Sequence, residues 1–89
     1  MMGQKGRISM GSRTLLSKLK KGQKAKVVEL TMTDRALRRR LLDMGITEGV
    51  HVKMKKIAPL GDPIDIELRG YELCLRKADL DLIIVEVIS

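Results

Sequence analysis

Few side chains in this sequence could do chemistry at a reacting centre. It contains one histidine, His51, and one cysteine, Cys74. Two such groups do not close a four-coordinate zinc site, and a histidine-based triad could draw only on His51. A divalent ion wants several ligands, and a lone imidazole with scattered carboxylates is not built as a site. The reading is an exposed His51 on a strand and a half-buried Cys74 thiol, with no metal site, no cofactor and no catalytic residue. No glycine-rich phosphate loop and no nucleophile–base pair is present. A single cysteine forms no disulfide within the chain, so nothing asks for an oxidising compartment.

What the chain offers instead is charge. Lys plus Arg number 18 against 11 for Asp plus Glu, a net +7. Residues 1–26 carry +8 and no acid, while residues 27–89 sum to −1. This basic leading edge suits a solvated tail or a polyanion. One tyrosine, Tyr71, cannot supply the stacking platform that sequence-tolerant single-strand binding uses, so nucleic acid is the weaker partner. An anionic inner membrane face is the better one, at ~1 kcal/mol for each nearby lysine. A second basic cluster, Arg35, Arg38, Arg39 and Arg40, falls on one short helix. It could pair with Asp34 and Asp43 at i, i+4 spacing, or form a docking surface centred on Leu42. The segment Pro59-Leu60-Gly61-Asp62-Pro63 is the second candidate surface, a rigid loop tipped with Leu60.

These groups need positioning elements. Asp34 to Met44 is the clear helix, with Thr31 or Thr33 as its cap, Asp34 in its first turn, and Leu37, Leu41 and Met44 on one stripe. Gly45 ends it left-handed, with Ile46 folding back as a clasp. Gly45, Gly49, Gly61 and Gly70 read as structural. Thr14 to Leu19 reads as a helical turn or tight bend closed at Gly22. Gln23 to Leu30 reads as a strand whose imperfect alternation calls for a bulge or two-sided burial. Val50 to Ile57 alternates cleanly. Ile64 to Leu68 and Tyr71 to Leu75 flank a tight Arg69-Gly70 hairpin turn. Lys77 to Asp81 is a short connector, and Leu82 to Ile88 a mostly buried strand.

With 89 residues there is room for one domain, and its core must be Leu, Ile, Val and Met. Five short strands and one helix favour a small closed or partly closed barrel over residues 14–89, because closure removes aggregation-prone edges. Residues 1–13, with three Gly, two Ser, three basic side chains and no acid, read as a disordered extension. The longest strongly apolar run, Leu82 to Val85, is far short of a bilayer span, and Met1 to Ser12 holds no signal-like segment. The expected address is the cytoplasm.

The motif Arg40-Leu41-x-x-Met44-Gly45-Ile46-x-x-Gly49-x-x-Val52, followed by Ala58-Pro59-Leu60-Gly61-Asp62-Pro63-Ile64, resembles the FeoA family of bacterial ferrous iron transport. Leu19-x-x-Gly22, Leu75-Arg76 and Ile84-x-x-Val87 add support, and the resemblance runs from about Leu15 to Val87. It implies an SH3-like barrel with an inserted helix. It also implies a non-enzymatic accessory role, with the cytosolic GTP-binding part of a ferrous iron permease as partner. Met44, Gly45, Ile46, Gly49, Pro63 and Gly70 would form the structural motif. Arg35, Arg38, Arg39, Leu42, Pro59, Leu60, Gly61 and Asp62 are the candidate partner contacts. Weak or no specific ferrous binding is expected. The alternative is a small basic barrel acting with nucleic acid or a metal-dependent transcriptional regulator. The basic extension and Cys74, where alanine is more usual, depart from the family.

Overall fold

The computed structural model describes residues 12–88. Its elements are β1 (Arg13–Leu15), a 3-10 turn (Leu16–Lys18), β2 (Lys24–Leu30), α1 (Arg35–Asp43), β3 (His51–Ile57), β4 (Ile64–Leu68), β5 (Tyr71–Leu75), α2 (Lys77–Leu80) and β6 (Ile83–Val87). The strands form one antiparallel sheet in the order β1-β6-β2-β3-β4-β5. The mainly β, SH3-like fold is as expected, with two differences. Among the described residues there are six strands instead of five, and the sheet is not closed, since no hydrogen bonds join β1 to β5.

The sixth strand lies where a helical turn was expected. Arg13, Thr14 and Leu15 pair with Glu86, Val85 and Ile84, and only then does the chain coil into the 3-10 turn. Three residues are too few to show an alternation, which is why the pattern did not show β1. Of the expected extension, residues 1–11 lie outside the described residues. Ser12 and Arg13 are tied to β6, the Ser12 carbonyl accepting from the Val87 N–H at 2.8 Å.

The core is aliphatic throughout. Ala25, Val27 and Leu30 of β2 are buried with Val52 and Met54 of β3, Ile64, Ile66 and Leu68 of β4, and Ile83, Val85 and Val87 of β6. The register of β2 on β6 shifts between Val27 and Glu29. That bulge inserts Val28 and explains the broken alternation. Odd positions face inward up to Val27 and an even one, Leu30, after it. Removing these side chains from water is the main stabilising contribution, roughly 25 cal/mol per Å² of apolar surface.

The helix α1 lays Leu41 fully into this core, with Leu37 and Met44 packed at its margin. Its N-cap is Asp34 itself, not a threonine. The Asp34 Oδ1 accepts from the N–H groups of Ala36 (2.9 Å) and Leu37 (3.2 Å). The C-terminus closes as expected. Gly45 N–H donates to the Leu42 carbonyl and Ile46 N–H to the Leu41 carbonyl, both at 3.0 Å, with Gly45 at φ +98° and Ile46 fully buried. The expected connector at Lys77 to Asp81 is instead largely a short helix, α2, which buries Leu80.

Candidate docking site

The four arginines of α1 do not form a uniform patch. The Arg38 Nη2 donates to the carbonyls of Leu30 (2.8 Å) and Met32 (3.3 Å) and so holds the end of β2 against the helix. Arg40 reaches Asp79 of α2 at 3.8 Å. The expected i, i+4 pairs with Asp34 and Asp43 do not form among the described residues. Asp34 is occupied by the helix N-terminus, where its two backbone hydrogen bonds hold the carboxylate in place. Arg35 and Arg39 are exposed and make no hydrogen bond or ion pair among the described residues. Leu42, three residues on from Arg39 and so its neighbour on the helix surface, is 39% exposed. Two free guanidinium groups and a protruding leucine thus share the solvent side of one rigid helix.

The second candidate surface is a tight turn. Gly61 N–H donates to the Ala58 carbonyl at 2.7 Å and Ala58 N–H to the Pro63 carbonyl at 3.1 Å; the Asp62–Pro63 peptide is cis. Leu60 stands at its tip, 96% exposed, beside exposed Pro59. Asp62 is exposed, but its Oδ1 is engaged: it accepts from the Lys77 N–H at 2.7 Å and satisfies the start of α2. The short helix therefore joins the two surfaces. Lys77 is held by the loop and Asp79, two residues on, by Arg40 of α1. Nothing in the sequence pattern singled out α2 for this, although Lys77, Ala78 and Leu80 are good helix formers.

Of the structural residues, Gly45, Gly49 and Gly70 all have positive φ. Gly45 has a second constraint that the sequence did not reveal. Its Cα faces the hydroxyl of Tyr71, which donates to the Met44 carbonyl, and a Cβ built there would lie 2.7 Å from that oxygen. The chain's single aromatic residue is thus a strut between the β4–β5 hairpin and the end of α1.

His51 is exposed on β3 as expected. Cys74 on β5 is exposed instead of half-buried, because it lies on the outer face of the sheet's edge strand, opposite Asp65. With β4 between them, the two are at least two strand spacings apart, about 10 Å. A hydrogen bond to the Asp65 carboxylate pushes the Cys74 thiol above its ordinary pKa, aided by the nearby negative charges. Among the described residues, no group of three or more His, Cys, Asp and Glu is placed to hold a metal ion. No helix among them is long and apolar enough to cross a membrane.

Comparison with known proteins supports the same picture. The FeoA domain model matches residues 14–87. A fusion of Fe(2+) transport protein A with the Fe(2+) transporter FeoB, from Porphyromonas gingivalis, is 35% identical over 74 residues, 83% of this chain; the chain spans 9% of that relative's length. The FeoA-like protein of Clostridium acetobutylicum superposes with a TM-score of 0.78 at 36% identity, over 92% of each chain. The FeoA of Stenotrophomonas maltophilia, solved with zinc and described as a prokaryotic SH3 domain protein, matches at a TM-score of 0.68 and 27% identity, over 81% of this chain and 88% of that one. With the model covering nearly all of the described residues and relatives superposing over the whole sheet, the chain belongs to the FeoA family.

Proposed function

We propose that this chain is a non-enzymatic accessory module that docks on the cytosolic part of a ferrous iron permease and affects its assembly or GTP-linked gating. The observation that carries the reading is the solvent side of α1, where Arg35 and Arg39 make no ion pair or side-chain hydrogen bond among the described residues and lie beside exposed Leu42. Desolvated arginines around a protruding apolar side chain make strong interface anchors, and they suit an acidic patch on the partner. Leu60, exposed at the tip of the Pro59–Pro63 turn, is a second candidate contact. The fusion of a relative to the FeoB transporter supports the choice of partner. On this reading the protein works in the cytoplasm, and its basic leading segment lies near the anionic inner leaflet, where each lysine adds ~1 kcal/mol of attraction.

The test is a pull-down of the permease's cytosolic domain by wild-type protein and by the double variant Arg35→Glu, Arg39→Glu. Loss of capture at unchanged thermal stability is the expected result. Capture equal to wild type removes α1 from the interface. Leu60→Glu reports separately on the loop.

A further inference from the structure

The outer face of the sheet carries a groove that neither the helix nor the Pro59–Pro63 turn accounts for. It is an open cleft of about 580 Å³ lined by Lys24, His51, Lys53 and Arg69, with Val52, Leu68 and Ile88 among its apolar atoms. Its charge arrangement is unusual. Lys24 of β2 lies directly across from Lys53 of β3, and Lys26 directly across from His51 on the same pair of strands. Like charges placed opposite one another on a sheet are destabilising, so such a pair gains nothing for the isolated fold.

Two flanking lysines are paired with acids. Lys26 reaches Glu86 at 3.9 Å and Lys55 reaches Glu67 at 3.6 Å. Glu67, the acid lining the groove, is thereby already engaged. Lys24, Lys53 and Arg69 form no ion pair or side-chain hydrogen bond among the described residues. Arg69 is presented from the hairpin turn at φ +51°, beside Gly70. Three permanent cations therefore share this open surface with one acid, Glu67, which lies across from Lys53 and is also reached by Lys55, so positive charge is in excess there.

We infer that this groove binds an acidic, leucine- or isoleucine-bearing extended segment of a partner protein, with its carboxylates on Lys24, Lys53 and Arg69. Three features favour a peptide over other polyanions. The groove is concave, so a planar bilayer does not enter it. Its lining holds no Phe, Tyr or Trp on which successive bases could stack. Partly exposed Ile88 and the aliphatic stems of Lys24 and Lys53 offer an aliphatic side chain a place that a bare phosphate would leave unused. The site lies on the sheet, apart from the Arg35–Arg39–Leu42 face of α1, and its test does not depend on that face.

The probe is a blocked peptide alternating Glu and Leu, with a Gln–Leu peptide as control, titrated into isotopically labelled full-length protein at low salt. Amide shifts should cluster at Lys24, His51, Lys53 and Arg69, with no shift from the Gln–Leu peptide. Affinity should fall roughly tenfold or more in Lys24→Glu, and separately in Lys53→Gln, while Arg35→Glu, Arg39→Glu leaves it unchanged. Both groove variants relieve a like-charge pair, so a dispersed, stable spectrum is expected and serves as the folding control. Shifts spread over all lysines, or affinity unaltered by both variants, overturn the inference. So does tighter binding to phosphatidylglycerol vesicles or duplex DNA through the same residues. A salt-sensitive dimer of the free protein that Lys24→Glu abolishes also overturns it, since the groove would then be filled by the Glu67–Glu72 row of a second copy.

Discussion

Gly45→Ala should destabilise this protein by about 2–3 kcal/mol, roughly twice the cost of Gly49→Ala. The two glycines have similar backbone geometry, φ +98° and φ +91°. An alanine at either position carries left-handed strain of ~1–2 kcal/mol. They differ in what surrounds them. A Cβ at Gly49 meets nothing within 4 Å, whereas at Gly45 it meets the Tyr71 hydroxyl at 2.7 Å. That oxygen has to move, and moving it breaks the hydrogen bond to the Met44 carbonyl, worth ~1 kcal/mol. Urea unfolding of the two variants and of Tyr71→Phe, alone and combined with Gly45→Ala, isolates the contact. In the Tyr71→Phe background the alanine should cost ~1 kcal/mol less, because the obstructing oxygen and its bond are already gone. Equal losses at Gly45 and Gly49, or strict additivity with Tyr71→Phe, would refute the reasoning and leave φ as the only constraint at the helix end.

Arg38→Met should cost about 1–2 kcal/mol in the same assay, because the carbonyls of Leu30 and Met32 lose their donor, while Arg35→Ala should change stability by less than ~0.5 kcal/mol. The Ser17 hydroxyl, with smaller help from Lys77 and Lys18, holds the Asp81 carboxyl below the usual aspartate range. A depressed folded pKa stabilises above the unfolded value, so the advantage over Asp81→Asn should be complete above about pH 4 and fade as pH falls through the lowered pKa, as urea midpoints across pH would show. Cys74 should react with iodoacetamide at pH 8 more slowly than free cysteine, and Asp65→Asn should speed it by removing the hydrogen-bond acceptor. Anaerobic calorimetry with ferrous ion should show no tight site, and His51→Ala should leave the isotherm unchanged.

Elements with a period were readable. The α1 stripe of Leu37, Leu41 and Met44 and its Gly45–Ile46 stop reported themselves through spacing. So did the alternation of Val50, Val52 and Met54, whereas the broken alternation of β2 fitted a bulge or two-sided burial until its register on β6 showed the bulge. What escaped was too short for a period or set by distant partners. β1 and α2 have three and four residues. The same limit applies to the candidate site. Four arginines in six positions look equivalent in the sequence, and only the fold separates Arg38, turned onto the end of β2, and Arg40, drawn to Asp79, from the free pair Arg35 and Arg39. The opposition of Lys24 and Lys53 depends on register between segments almost thirty residues apart, which no local pattern encodes.

Because β1 runs antiparallel beside β6, with Arg13 abreast of Glu86 and Ser12 bonded to Val87, the polypeptide enters and leaves this unit through a single gap. A unit with adjoining ends can be spliced into a longer polypeptide, or have its ends joined and a new break opened at Gly61, without unpairing the six strands. Such interchange of order would leave the α1 face and the Lys24–Lys53 groove in the same spatial relation, whichever side of the host protein the unit hangs from.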